Sequence, residues 1–273
     1  MSSAVVTIDT TRPEIPFGRL VRVEIRKMFD TRSGFWLMLS TGILLALTVG
    51  ITLLVVALDE GTSLTASDFS SVLTIPLSIL LPVFAIVTVT SEWGQRSHLS
   101  LFTLEPRRGR VIGAKLVSVL VLAVGTIVLA LVLGAIANVV GAAIGGYDVM
   151  WNLDASNIAW TVVLQLAYFL MAFALSMVFL SSPGTIVVFY IFALLLPFMV
   201  YPPLFFAFDW AKDLIPWVDF NYAANPLISG EDFAGDPVDV GVLQYAQFAL
   251  TLLLWIGIPG AIGLRRVLTT EVK

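Results

Sequence analysis

The sequence predicts an all-α integral membrane protein with six transmembrane helices, and three observations carry that prediction. Of the 273 residues, 58% are hydrophobic and 12% charged, about half the charged share of an ordinary soluble domain. Mean hydropathy is +0.96, so polar surface is too scarce to coat a globule of this size in water. Six stretches also reach the length that crosses a bilayer, about 17–25 mostly apolar residues each. A soluble enzyme is excluded. With no cysteine and one histidine, disulfides, thiol catalysis, iron–sulfur clusters and a His-rich metal site are excluded too.

Residues 1–16 are polar and punctuated by Pro13 and Pro16, and we expect a flexible cytoplasmic tail. The start lacks a basic region followed by an apolar core, so no cleaved signal peptide is expected. Residues 17–33 (FGRLVRVEIRKMFDTRS) place Phe17, Leu20, Val21, Ile25, Met28 and Phe29 at helical spacing, opposite Arg19, Arg22, Arg26 and Lys27. A basic amphipathic helix just before a span lies in the membrane interface and attracts anionic lipid headgroups. Glu24 is the anomaly, because the period sets it on the apolar stripe between Leu20 and Met28. Two readings stand: it bends back to the interface or pairs with Lys27, or the stripe faces a protein partner whose basic group it meets.

The transmembrane domain, residues 34–264, holds spans at about 35–58, 71–91, 111–140, 157–180, 185–201 and 242–264. Prolines 76, 82, 197 and 259 fall inside these spans, which membrane helices tolerate when neighbours satisfy the freed carbonyls. Fourteen of the fifteen Lys and Arg residues lie in the N-terminal segment, the connection after the second span, or the 265–273 tail; the exception is Lys212. Twelve acids occupy the opposite connections. The excess of basic residues on cytoplasmic loops then orients the chain with both termini in the cytoplasm, multi-pass in the cytoplasmic (inner) membrane.

Between spans two and three, SEWGQRSHLSLFTLEPRRGRVIGAK carries a short apolar face of Leu99, Phe102 and Leu104, which Pro106 ends. Basic residues alone suit a loop beside lipid, whereas that face suggests a short helix that docks. On the other side, residues 202–241 contain Phe205, Phe206, Phe208, Trp210, Trp217 and Phe220 among acids. Aromatic anchors at headgroup depth broken by Pro216 and Pro226 predict short re-entrant or interfacial helices before the last span.

Chemistry is sparse. No span holds an ionisable residue near its centre, which argues against a proton- or ion-coupled carrier. Neither HExxH nor GxxxxGK[ST] occurs; the run from Gly109 to Lys115 lacks that spacing and follows no strand. Thr41, Thr48 and Thr52 share a face of the first span, and Thr74, Ser78 and Thr88 a face of the second. Such hydroxyls either bond between helices or border a weakly polar path for an amphiphile.

The order of a basic amphipathic helix with an embedded Glu, a first span, and a second span ending in SEWGQRSHLSLFTLEPRRGRVIGAKL resembles the permease subunits of type-2 ABC transporters, the exporter-like class. Such permeases carry a Glu at the cytoplasmic end of the second span, a small or hydroxyl residue soon after, then a P-x-R…K stretch. Glu92, Ser97, Pro106–Arg108 and Lys115 occupy those positions here, while Trp93 and His98 depart from the pattern. The resemblance implies a subunit without its own ATPase site or cofactor, which moves an amphiphilic drug, peptide or lipid-like substrate. Two permeases, identical or related, would pair with two copies of a soluble ATP-binding subunit that holds ATP and Mg. It implies a coupling helix at 92–104 beside the 17–33 helix, with Glu24, Glu92, Arg96, His98, Leu99, Phe102, Arg107 and Arg108 at the ATPase interface. Thr41, Thr48, Thr52, Thr74, Ser78 and Thr88 would then line the path; no metal and no nucleic acid are expected. The alternative is a non-transporting anchor, assembly or sensor subunit that binds some other cytoplasmic partner.

Overall fold

The computed structural model describes residues 15–59, 63–94 and 107–269. All regular elements among these residues are helical, and six are long and apolar enough to cross a membrane. The chain is a multi-pass membrane protein.

Helix α1 (Phe17–Asp30) stops earlier than the periodicity predicts. Thr31 adopts an extended backbone, and its side chain accepts the Gly34 amide at 3.2 Å to cap α2 (Arg32–Leu58). The corner between them is tight. A Cβ on Gly34 would lie 1.8 Å from the Met28 carbonyl oxygen, so only glycine lets the two helices meet this way.

Helix α3 (Ala66–Gly94) begins five residues before the expected start. Thr65 and Asp68 cap it reciprocally: Thr65 donates to the Asp68 carboxylate at 2.7 Å, and the Asp68 amide returns a bond to the Thr65 hydroxyl at 3.3 Å. Pro76 and Pro82 interrupt its hydrogen-bond ladder. Donors from other helices reach carbonyls in this stretch, Gln165 to Thr74 and Tyr190 to Ile79.

Helix α4 (Arg108–Gly145) runs for 38 residues, roughly 57 Å at 1.5 Å per residue. It exceeds the hydrocarbon thickness of about 30 Å, and its N-terminal part packs against α1. Helix α5 (Ala155–Phe179) turns at Leu180 and Ser181 directly into the fifth span. That span joins α6 (Ser182–Tyr190), a π-helical stretch around Pro197 (Ile191–Val200), and α7 (Tyr201–Ala207).

The connection beyond it therefore starts at 208 rather than 202. It contains α8 (Asp209–Leu214), a 3-10 turn (Ile215–Trp217) and α9 (Phe220–Ser229). Short helices are thus present where the aromatic and proline pattern predicts them. The sixth span joins α10 (Val242–Leu252), a π-helical stretch (Leu253–Gly257) and α11 (Ile258–Thr269).

Helices α3 and α5 form the centre. Half of each one's most apolar window is buried, against 17–28% for the other four spans. Phe69, Leu73, Leu77 and Leu81 of α3 and Phe169, Met171 and Ala172 of α5 are buried among the core side chains. Lipid tails are as apolar as leucine, so close backbone approach and dispersion hold such helices together. Gly263 of α11 illustrates it: a Cβ there would lie 2.6 Å from Met177 Cβ on α5.

Candidate functional site

The expectations for Glu24 and Glu92 converge on one place. Glu24 sits at the middle of α1, Glu92 in the last turn of α3 and Lys115 in the second turn of α4. The α1 stripe packs against α4, with the Ser118 hydroxyl donating to the Val21 carbonyl at 3.1 Å. That contact brings Glu24, 4% exposed, onto Lys115, 6% exposed.

Four side chains close a ring. Lys27 Nζ donates to Glu24 Oε1 at 2.7 Å and Glu92 Oε1 at 2.8 Å. Lys115 Nζ lies 2.9 Å from Glu24 Oε2 and 2.9 Å from Glu92 Oε1, and donates to the Thr88 carbonyl at 3.2 Å. Each carboxylate touches both ammonium groups, so two negative and two positive charges cancel. Burial works against the charge on Lys27, yet its hydrogen bonds to Glu24 and Glu92 prevail and its pKa lies above the usual lysine value. A buried ion pair survives only with such full pairing.

Beside the ring lies a cleft of about 630 Å³, lined among others by Met28, Gly34, Leu37, Phe84, Thr88 and Ser91. Glu92 is two residues from the end of α3, so the 95–106 connection leaves from the ring itself. The ring ties the amphipathic helix to both helices that flank that connection.

Glu24 and Glu92 are therefore turned inward, onto lysines of their own chain, and the basic group that Glu24 meets is Lys27 together with Lys115. Of the two readings of Glu24, the pairing with Lys27 is present, and Lys115 joins it because α1 packs its stripe on α4. Arg108 also reaches inward, donating to the Val267 and Leu268 carbonyls at 3.1 and 3.3 Å. There its charge complements the C-terminal end of α11. Arg107 stands exposed at the start of α4. Arg96, His98, Leu99 and Phe102 lie outside the described residues.

The six hydroxyl residues are distributed along α2 and α3. Thr41, Thr52, Thr74 and Ser78 each donate to a carbonyl of their own helix. Thr88 lines the cleft beside the ring, whereas Thr74 lines a separate cleft at the opposite end of the bundle. Thr41, Thr48 and Thr52 line neither. Lys27 stands in the sequence reading only as a partner for Glu24, at i,i+3 spacing, and Lys115 only as the end of the P-x-R…K stretch; neither is among the residues expected at the ATPase interface, and that the two share one cluster is visible only in the structure.

At the other end, Asp219 caps α9 by accepting the Asn221 and Tyr222 amides at 2.8 and 3.1 Å. It is 4% exposed, and burial pushes its pKa up to about 7 against those two hydrogen bonds. No cluster of three or more His, Cys, Asp or Glu that could hold a metal occurs among the described residues. Compared with known proteins, the chain matches no family model and no curated sequence.

Proposed function

We propose that this chain is the transmembrane permease subunit of an ATP-driven ABC exporter, moving an amphiphilic substrate out across the cytoplasmic membrane. Both termini and the 95–106 connection face the cytoplasm in this reading, where a soluble ATP-binding subunit docks. ATP and Mg belong to that partner, and this chain transmits rather than hydrolyses.

The Glu24–Lys27–Glu92–Lys115 ring is the observation that carries the reading. A force applied by a partner to the 95–106 connection acts on the end of α3 and the start of α4. The ring fastens both to α1, so the three helices move together instead of fraying. A neutral, fully paired cluster suits that work, since sliding one helix past another would strand a buried charge. Four spans with mostly unburied windows leave ample surface for a second permease, identical or related.

The test is gentle purification of the tagged chain from its native membrane, followed by identification of what accompanies it. A stoichiometric soluble ATPase, with turnover lost when residues 95–106 are replaced, is the expected result. A chain that emerges alone, or with a partner that does not hydrolyse ATP, across several detergents, overturns the proposal in favour of an anchoring or sensing subunit.

A further inference from the structure

The cleft beside the ion-pair ring lies between α1, the start of α2 and the last turns of α3, and its lining changes character along its length. At one end stand Lys27, Arg32, Ser91 and Glu92; toward the other lie Leu37 and Phe84. From Ser91 to Phe84 the wall runs about 10 Å along α3, and from Arg32 to Leu37 about 8 Å along α2. Both helices therefore pass from polar to apolar in the same direction, away from the ring. A phospholipid lying along them has the same order of headgroup, ester and tail.

The charges select the headgroup. The lining holds three cations and two carboxylates. Both carboxylates are already paired in the ring, Glu24 through both oxygens and Glu92 through Oε1. Lys115 directs its three N–H groups to Glu24, Glu92 and the Thr88 carbonyl. Lys27 gives two to the carboxylates and keeps the third, on a side chain 39% exposed. Arg32 is exposed and makes no hydrogen bond or ion pair among the described residues. The cleft is thus left with one positive charge in excess. Thr88 and Ser91, one turn apart on α3, add hydroxyls that bond no group among the described residues. Phosphate oxygens and ester carbonyls accept such donors, and basic pockets between spanning helices hold anionic headgroups. A choline or ethanolamine ammonium would find both carboxylates taken.

We infer that this cleft binds an anionic phospholipid from the leaflet beside α1, with its phosphate on Arg32, Lys27 and Ser91 and one acyl chain along Leu37 and Phe84. The site is distinct from the diffuse attraction of α1 for a membrane surface, since Arg19 and Arg22 do not line it. It rests on the chain being a multi-pass membrane protein and not on the ATP-driven reading.

The test uses the full chain in phosphatidylcholine nanodiscs that contain a phosphatidylglycerol with a photoreactive acyl chain, and labelled peptides are mapped by mass spectrometry. Saturable labelling of the segments around 34–41 and 84–91 is expected, competed by phosphatidylglycerol about tenfold better than by phosphatidylethanolamine. Arg32→Gln should weaken labelling about tenfold, the worth of one charge-assisted contact. Arg22→Gln removes the same charge from α1 outside the cleft and should leave labelling unchanged. Arg32 has no partner to lose, so its variant keeps the fold; Ser91→Ala is a second variant and should weaken labelling several-fold. Inorganic phosphate should not compete, because it has no chain for the apolar end. Displacement by phosphate means that the cleft takes the free anion and overturns the lipid assignment. Equal weakening by Arg22→Gln and Arg32→Gln reduces the effect to surface charge and overturns the inference too. So do unaltered labelling of both cleft variants, labelling confined to other helices, or equal competition by the zwitterionic lipid.

Discussion

Replacing Lys115 by methionine probes the ring most directly. The substitution keeps volume and removes one of two cations that balance Glu24 and Glu92. At an effective dielectric constant of about 20, each 2.9 Å contact of Lys115 with a carboxylate is worth roughly 6 kcal/mol before desolvation is deducted. Once the ions' desolvation is counted, breaking such a buried arrangement from one side costs about 3–5 kcal/mol. The Lys115 side chain is 7% exposed and that of Lys27 39%, so water replaces Lys27 far more readily. Lys27→Met should therefore cost only about 1–2 kcal/mol. Adding Glu24→Gln to Lys115→Met leaves the neutral Lys27–Glu92 pair and should restore about half of the loss. Unfolding by increasing SDS fraction, followed by tryptophan fluorescence at pH 7, ranks five proteins: the parent chain, the single variants Lys115→Met, Lys27→Met and Glu24→Gln, and the double variant. Equal destabilisation by the two lysine variants, or a double variant whose loss equals the sum of the singles, would refute the reasoning.

Three further outcomes are expected. Gly34→Ala forces a methyl against the Met28 carbonyl and should destabilise by about 1–3 kcal/mol; it should also speed proteolysis in α1, and unchanged proteolysis would show that the corner is free to open. Asp219 has its folded pKa raised from 3.8 to about 7, so its favourable contribution is complete below pH 3.8 and is lost as pH rises to 7. Asp219→Asn, which keeps the cap, should accordingly raise the melting temperature at pH 8 and bring little change near pH 4; a pH-independent effect rejects burial as the cause. Lys27 has its folded pKa raised above 10.5, so its contribution holds through neutral pH and is lost only as pH climbs past that value. Lys27→Met should blunt the alkaline loss of stability measured between pH 9 and 12.

The sequence by itself determined the class, the number of spans, the amphipathic α1 and the segregation of charge between the two ends. Each is written locally, since an apolar run of some 20 residues or a 3.6-residue period needs no distant partner to be recognised. Span ends were less legible. Small residues such as those closing α4 at 141–145 are compatible with helix or loop, and the neighbouring turn decides. The same holds for the Tyr201–Ala207 extension of the fifth span, where Pro202 and Pro203 fall in the first turn of a helix, a place that tolerates proline.

Only the tertiary structure decided the site. The helical period marked Glu24 as misplaced on an apolar stripe, but its partner Lys115 lies 91 residues away, on a helix whose register against α1 is set by packing. The hydroxyl stripes were visible as patterns, yet nothing local says that Thr74 and Thr88 open into clefts at opposite ends while Thr41 and Thr52 bond their own helix. Charge and periodicity follow from the order of residues along the chain; which charge meets which follows from how the helices stack.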